Sequence, residues 1–301
     1  NGSAWSQVGN DIDGEASSDN SGYSVSMDSD GSHVAIGAHY NDGNGTDSGH
    51  VRICSWDGSA WTQVGNDIDG EATWDQSGYS VSMDSDGSHV AIGAYNNDGG
   101  GSNSGHVRVY FWNGSAWSQV GNDIDGEATN DNSGYSVSID SDGSHVAIGA
   151  YANDGNGIAS GHVRVYEYSS GSWSQVGSDF DGEAALDYSG TFVSIDSDGS
   201  HVAIGAPYND GGGSNAGHTR VLAPYGFAAY SPNNTLTSNS LTTSGATTAG
   251  SLTVDSVVID GTTIGHSSDS DLMTLASGSL TVAGDVTISS DARLKSNIVA
   301  L

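Results

Sequence analysis

Acidic residues recur in a pattern that is chemically suited to binding a hard cation. Asp11-Ile-Asp-Gly-Glu15 places three carboxylates within five residues, and the run returns in four copies. Because Ca²⁺ takes six to eight oxygen ligands, each run supplies part of a possible calcium site. The alternative is a polar connection whose carboxylates hydrogen-bond backbone amides. The candidate metal ligands are Asp11, Asp13, Glu15, Asp67, Asp69, Glu71, Asp123, Asp125, Glu127, Asp179, Asp181 and Glu183.

Two histidines also recur in every copy, first as His33 and His50. A zinc site needs three or four ligands that converge on one point. Histidines placed once per copy are instead expected to be framework residues that satisfy backbone groups. The turn at Asp28-Ser-Asp-Gly31 is expected to be a plain hairpin turn, because it is too short for a calcium loop.

Aromatic residues occupy positions that differ between the copies. An aromatic face stacks on the apolar face of a sugar ring, so such residues on a polar rim are candidate receptor contacts. Neutral variation in surface loops is the alternative. The candidate receptor-binding residues are Tyr40, Trp74, Tyr95, Tyr151, Tyr188 and Tyr208. Nearly every acid is repeated fourfold, whereas an enzyme normally uses one asymmetric cluster, so we expect a protein without catalytic activity.

The unit that positions these residues recurs every 56 residues, as marked by Trp5, Trp61, Trp117 and Trp173. A fixed long period without insertions indicates one supersecondary unit, copied and stacked. Within each unit, four runs with strand-like alternation are separated by Gly, Asn, Asp and Ser, which predicts four antiparallel strands. The pattern favours an all-β fold, with a β-propeller of four four-stranded blades over residues 1–222.

The ends of the array predict how such a ring closes. The fourth copy ends at Leu222 without a Trp-x-Gln-Val-Gly strand, whereas residues 4–9 supply one ahead of the first copy. Placing the N-terminal strand in the fourth blade removes two open edges, which favour aggregation. We therefore expect a four-bladed ring closed by the N-terminal strand. A fragment of a longer propeller is the alternative.

Charge and composition exclude several classes of partner. The net charge is −31, with only six Lys and Arg, which excludes broad electrostatic binding to nucleic acid or to an anionic membrane. No apolar run is long enough for a membrane span, so no membrane insertion is expected. The acidity suits solubility in a salty, extracellular medium. The chain begins without Met, so we expect a processed product or a piece of a longer protein.

Each repeat contains three short motifs, which in the first copy are Ser21-Gly-Tyr-Ser-Val-Ser26, Asp28-Ser-Asp-Gly31 and Val34-Ala-Ile-Gly-Ala38, and the fourth copy has a literal Gly205-Ala-Pro207. In these motifs the repeats resemble the FG-GAP family of propeller repeats, which is known from integrin α-chains and from secreted bacterial and phage proteins. The resemblance covers about three quarters of the chain. It implies a propeller fold and leaves function open, because function depends on sites and not on folds.

A different composition begins after the repeats. Residues 223–235 form a predicted linker, and residues 236–289 contain short Thr- and Ser-rich runs with few large apolar groups. Such a segment cannot bury a core alone, so it is either disordered or intertwined with copies of itself, and the alternation favours an extended trimeric β stalk. The segment resembles the stalk of a trimeric phage fibre and, loosely, fibre segments from phages of marine bacteria.

Residues 290–301 begin with Ser290-Asp-Ala-Arg-Leu-Lys295, which resembles the junction that opens the intramolecular chaperone domain (peptidase S74 type) of phage tailspikes and fibres. In that family the chaperone trimerises the fibre and then cuts itself off with a Ser and a Lys. The resemblance implies that Ser290 is the nucleophile and Lys295 the base, with cleavage at or beside the Ser290–Asp291 bond. Eleven residues follow Ser290, so we expect this chain to display the junction rather than to perform the cut.

These observations predict an extracellular virion protein: a homotrimeric fibre or tail fibre that contacts other virion proteins and binds a host surface glycan or protein. Ca²⁺ is the one expected cofactor, if the acidic runs bind metal. Two alternatives stay open. One is a secreted or cell-surface bacterial adhesin with a Ca²⁺-dependent propeller, and the other is a tailspike that degrades polysaccharide.

Overall fold

The computed structural model of the chain describes residues 4–223, and every regular element in this range is a β-strand. The chain divides into two units, Asn1–Thr237 and Ser238–Leu301, and the described residues lie in the first. Within them, no helix is long and apolar enough to cross a membrane. The predicted stalk, the Ser290–Lys295 junction and nearly all of the predicted linker lie outside the described residues.

Four antiparallel sheets follow one another along the chain, and the first three have the same strand order. Sheet 1 contains β1 (Ser24–Met27), β2 (His33–Ala38), β3 (His50–Trp56), β4 (Trp61–Gln63) and β5 (Ile68–Asp69). Sheet 2 contains β6 (Ser80–Met83), β7 (His89–Ala94), β8 (His106–Trp112), β9 (Trp117–Gln119) and β10 (Ile124–Asp125). Sheet 3 contains β11 (Ser136–Ile139), β12 (His145–Ala150), β13 (His162–Ser169), β14 (Ser172–Gln175) and β15 (Phe180–Asp181). Sheet 4 contains β16 (Phe192–Ile195), β17 (Val202–Ala206) and β18 (His218–Leu222).

Over residues 4–223 the predicted all-β class is confirmed, and so are four antiparallel strands in each of the first three copies. A fifth, two-residue strand was not predicted: in sheet 1, Ile68 and Asp69 pair with Val51 and His50 of β3. The first hairpin forms because its turn is held by a side chain. The carboxylate of Asp28 accepts hydrogen bonds from the amide and hydroxyl of Ser32, both at 2.8 Å, and Gly31 adopts the positive φ of 77° that the turn requires.

Apolar side chains are buried between successive sheets. Ala35, Val51 and Ile53 of sheet 1 pack against Val90 and Ile92 of sheet 2, and all five are at most 1% exposed. Equivalent cores lie between sheets 2 and 3 and between sheets 3 and 4. Burying an Ile or Val side chain contributes roughly 1.5–3 kcal/mol, so these three interfaces hold the array together. The first strands of neighbouring sheets also lie side by side.

The two ends of the array differ from the predicted closed ring. Sheet 4 has three strands in the described residues, and residues 4–9 form no strand. The carbonyl of Val8 instead accepts a hydrogen bond from the Trp61 indole at 2.9 Å, beside sheet 1. Val64 has the same relation to Trp117 in the next copy, at 2.8 Å. The same hydrogen bond from an indole to a carbonyl therefore recurs between copies. Residues 4–9 take the place, beside sheet 1, that the end of the outer strand of a preceding copy would occupy.

Both end sheets therefore present apolar side chains that are buried in the interior copies. Met27 of β1 is 54% exposed, whereas its counterpart Met83 of β6 is 6% exposed. At the other end, Val221 of β18 is 67% exposed, whereas its counterpart Val165 of β13 is 6% exposed. The repeated sheets fit a propeller, and the described residues form an open array of four sheets.

Candidate functional site

One edge of the array carries a row of tyrosines, at the point where the first strand of each sheet begins and the second strand ends. Tyr79 directly precedes β6, and Tyr95 directly follows β7. These strands are antiparallel, so the two ends meet and the ring centroids lie 4.3 Å apart. Tyr135 and Tyr151 pair in the same way at sheet 3, also at 4.3 Å.

The rings also contact one another from sheet to sheet. Tyr79 lies 4.9 Å from both Tyr23 and Tyr135, and Tyr188 lies 5.7 Å from Tyr151 and 5.2 Å from Tyr208. Tilted and edge-on ring pairs at such separations attract each other. The resulting continuous row is called the aromatic ladder. Its members are Tyr23, His39, Tyr40, Tyr79, Tyr95, Tyr135, Tyr151, Tyr188 and Tyr208.

The ladder is exposed at its ends and half-buried in the middle. Tyr23 and Tyr208 are each about half exposed, whereas Tyr79 and Tyr135 are partly covered by their neighbours. Burial raises the pKa of Tyr79 far above its usual value, and hydrogen bonds with the hydroxyls of Tyr135 and Tyr23 add to the effect. Burial likewise raises the pKa of Tyr95. The hydroxyls of these two residues therefore stay neutral near pH 7, available as donors and acceptors.

Five of the six predicted receptor-binding residues fall in the ladder: Tyr40, Tyr95, Tyr151, Tyr188 and Tyr208. The sixth, Trp74, is 57% exposed in the connection between sheets 1 and 2 and is not one of the ladder rings. Four ladder members were missed: Tyr23, His39, Tyr79 and Tyr135. The sequence does show a tyrosine at the same position of three copies (Tyr23, Tyr79 and Tyr135), but these residues were interpreted only as part of the alternation that predicts a strand.

The carboxylates of one acidic run do not converge on one point. The run continues into the short strand β5 or its counterparts, and an extended chain separates residues four apart by roughly 13 Å. Each glutamate instead lies close to the first aspartate of the next run and to a histidine. The three clusters found among the described residues are Glu15–His50–Asp67, Glu71–His106–Asp123 and Glu127–His162–Asp179.

The middle aspartates of the runs have another role. The backbone carbonyl of Asp69 accepts a hydrogen bond from the Arg108 guanidinium at 2.7 Å, which ties sheet 1 to sheet 2. Asp13, Asp125 and Asp181 accept the same bond from the arginines of their following copies. Asp11 accepts a hydrogen bond from Gln7 and lies outside the three clusters, and Glu183 lies 3.6 Å from His218.

The cluster histidines, which were expected to be framework residues, are buried. Burial lowers the pKa of His106 to about 4, and the positive charge of Arg108 adds to the lowering. Burial and Arg164 lower the pKa of His162 to about 4 in the same way. Burial raises the pKa of Glu71. The sequence gives no indication that each of these histidines meets carboxylates from two different acidic runs, because each carboxylate is more than 15 residues away from the histidine along the chain.

The second set of histidines forms Ser–His–Asp groups in the hairpin turns. In the first, His33 Nδ1 lies 2.8 Å from the Asp28 carboxylate and 3.0 Å from the Ser32 hydroxyl. A catalytic triad instead places serine and aspartate on opposite ring nitrogens, so that the imidazole relays between them. Here both partners meet the same nitrogen, and the hydroxyl is also 2.8 Å from the carboxylate. This geometry stabilises a turn.

Comparison with known proteins identifies the repeat. Residues 11–53, 67–110 and 124–166 each match the FG-GAP repeat. No curated protein matches the sequence. The chain is similar in structure to the hydrazine synthase of Kuenenia stuttgartiensis, at 13% identity and a TM-score of 0.42, with 71% of this chain and 53% of that one covered. It thus spans about half the length of that chain.

Two further solved structures are similar at the same level. One is a putative 6-phosphogluconolactonase from Bacteroides uniformis, at 8% identity and a TM-score of 0.38, with 67% of each chain covered. The other is Sqt1 of Saccharomyces cerevisiae, at 14% identity and a TM-score of 0.40, with 64% of this chain and 44% of that one covered. None of the three bears on the function of this chain. Three segments of the chain thus match the FG-GAP repeat, and its repeated antiparallel sheets fit a β-propeller.

Proposed function

We propose that this protein is a non-catalytic recognition module that binds a neutral surface glycan along the aromatic ladder. The observation that carries the proposal is the unbroken row of rings from Tyr23 to Tyr208. Aromatic faces stack on the apolar faces of sugar rings, and the neutral hydroxyls of the ladder supply donors and acceptors for sugar hydroxyls.

The charge of the chain selects among glycans. With a net charge of −31, the protein repels polyanionic glycans, and this electrostatic repulsion lowers the rate at which it associates with them. The proposed ligand is therefore a neutral oligosaccharide. A protein receptor is the competing ligand.

The recognition module is proposed to be the propeller-like receptor-binding domain of a homotrimeric virion fibre, which contacts other virion proteins. This part of the proposal is supported by the resemblance of residues 236–289 to a trimeric fibre stalk and of the Ser290–Lys295 segment to a fibre maturation junction. Mass photometry of the full chain tests it: we expect a trimer, and a monomer at micromolar concentration contradicts the fibre assignment.

Glycan binding is tested with the full chain on an array of neutral and acidic oligosaccharides. We expect binding to a subset of neutral glycans and at least a tenfold loss of affinity in Tyr95→Ala and Tyr151→Ala. Trp74→Ala is the control, because Trp74 is an exposed aromatic residue that is not one of the ladder rings. Circular dichroism establishes that each variant folds. Absence of any glycan ligand, or equal losses in the ladder and control variants, contradicts the proposal.

A further inference from the structure

The Glu–His–Asp clusters repeat with the same geometry in three copies. His106 Nδ1 lies 3.8 Å from a carboxylate oxygen of Glu71, and the corresponding distance is 3.9 Å for both His50 to Glu15 and His162 to Glu127. In each cluster, one ligand atom from each of the three residues lies within 4.8 Å of the other two. The same geometry in three copies of one repeat is a property of the repeated unit and not of one loop.

The histidines in these clusters are buried without a hydrogen bond to account for them. His50 and His106 are each 1% exposed, and in the described part of the chain their Nε2 atoms are buried without a partner. Their Nδ1 atoms face the glutamates at 3.8–3.9 Å, which is beyond hydrogen-bond distance. Burying an imidazole without partners is costly, and a ligand held between Nδ1 and the carboxylates would supply the partner that Nδ1 lacks, while leaving Nε2 as it is.

The spacing suits a metal ion. Bonds of 2.0–2.2 Å from zinc to nitrogen and oxygen put neighbouring tetrahedral ligands roughly 3.4 Å apart. The nitrogen-to-oxygen distance of 3.8 Å in the cluster of His106 and Glu71 exceeds that separation by only about half an ångström. Rotation of a half-exposed glutamate side chain is enough to close this gap, and Glu71 is 42% exposed.

The carboxylates are already oriented by neighbours. Gln119 donates to Asp123 Oδ1 at 2.6 Å, and Gln175 donates to Asp179 Oδ1 at 2.7 Å. Oδ2 of Asp179 faces His162 at 4.0 Å. On the glutamate, Arg108 lies 3.5 Å from Glu71 Oε1, while Oε2 faces the histidine. One oxygen of Asp179 thus accepts a hydrogen bond while the other faces His162, and Glu71 is similarly divided between an ion pair with Arg108 and the histidine, as in metal sites whose ligands are oriented by outer partners.

We propose that each Glu–His–Asp cluster binds one divalent transition-metal ion, with Zn²⁺ as the best-fitting ion and water as the fourth ligand. An imidazole and two carboxylates suit Zn²⁺, whereas Ca²⁺ prefers six to eight oxygen ligands. The glutamate belongs to the segment that enters a sheet, and the other two ligands belong to that sheet. The ion therefore links the segment that connects two sheets to the second of those sheets. Metal binding is expected to stabilise the array for this reason.

The test uses full-length protein stripped with chelator and titrated with ZnCl₂ by calorimetry. Among the described residues the clusters number three, and Glu183 and His218 lie 3.6 Å apart in the fourth copy. The informative quantity is therefore the loss of bound ions per substituted cluster. We expect His106→Gln and, separately, the exposed Asp123→Asn each to remove one ion per chain. Titration with Co²⁺ is expected to give a visible absorption band that weakens in the same variants.

His89→Gln is the matched control, because His89 is bonded to Asp84 at 2.7 Å in a turn and lies outside the clusters. It is expected to leave the number of bound ions unchanged. Circular dichroism verifies folding, and Asp123→Asn keeps the test valid if His106→Gln does not fold. Failure of the wild type to bind Zn²⁺ overturns the proposal. So does equal stoichiometry in wild type and both cluster variants, or displacement of Zn²⁺ by equimolar Ca²⁺.

Discussion

Replacing Gly93 by Ala is expected to separate sheets 2 and 3. Gly93 lies in β7, where its backbone meets the turn that precedes the first strand of sheet 3. A Cβ atom at this position would lie well under 3.0 Å from the Gly134 carbonyl oxygen and the Ser80 hydroxyl. Both obstacles are fixed, because Ser80 itself donates to the Gly134 carbonyl at 2.7 Å. The added methyl therefore fits only if the two sheets move apart.

The expected cost follows from these contacts. Overpacking of a close-packed interior costs roughly 1–3 kcal/mol, and loss of the Ser80 hydrogen bond adds about 1 kcal/mol. We expect Gly93→Ala to lower the free energy of unfolding by about 3 kcal/mol. For a domain of this size, that corresponds to a fall of roughly 6–12 °C in Tm.

Gly205 provides the matched control within the same molecule. It occupies the same position of the fourth sheet, and a Cβ there would meet only Phe192, at 3.6 Å or more. Neither Gly93 nor Gly205 has a positive φ, so alanine is not strained by the backbone at either position. We expect Gly205→Ala to change stability by less than about 1 kcal/mol, with a small gain from the lower entropy of the unfolded chain.

The assay is urea unfolding of both variants, followed by circular dichroism. Two results refute the reasoning. If Gly93→Ala unfolds within 1 kcal/mol of wild type, the close approach of the sheets does not limit stability. If Gly205→Ala costs as much as Gly93→Ala, another element covers sheet 4, and the array is closed where the described residues leave it open.

Three further predictions concern polar contacts. In chelator, the free energy of unfolding is expected to fall as the pH is lowered from 6.5 to 4, because His106 and His162 have pKa values of about 4 in the folded protein, so that only the unfolded chain takes up protons in this range. Each histidine accounts for at most about 3 kcal/mol of this fall. Substituting Gln at both positions is expected to flatten the curve of Tm against pH. Arg108→Lys keeps the charge but loses the bond to the Asp69 carbonyl, and urea melts are expected to show a loss of about 2 kcal/mol. Trp117→Phe removes an indole donor that reaches the preceding copy at 2.8 Å, and differential scanning calorimetry is expected to show a loss of about 1–2 kcal/mol.

Each of these three predictions has an outcome that would contradict it. A pH curve unchanged by the two histidine substitutions contradicts burial as the cause of the lowered pKa. An Arg108→Lys variant as stable as wild type assigns no net stability to the guanidinium bond between sheets. For Trp117→Phe, a Tm equal to that of wild type contradicts the role of the indole in joining successive copies.

The local elements were predictable because each is encoded within a few residues. Tyr23, Val25 and Met27 alternate with polar residues, and the Asp28–Gly31 turn follows at once, so the first hairpin is readable from its own sequence. The strand β5 was missed because two residues show no periodicity, and its pairing partner, β3, lies more than ten residues earlier. The members of the aromatic ladder were predicted in part, because variation between copies points to surface loops but not to which rings stack.

The sequence by itself determined the repeat, its period of 56 residues, the all-β class and the residue types available in every copy. These follow from local alternation and turn chemistry, which act over neighbouring residues. Only the tertiary structure decided which copies of those residues meet. Stacking sheets side by side brings Tyr79 to Tyr135 and Glu71 to His106 and Asp123, whereas the acids within one run are drawn apart. The reason is physical: a repeat specifies its own strands, but its surfaces acquire partners only from the neighbouring copy against which they are buried.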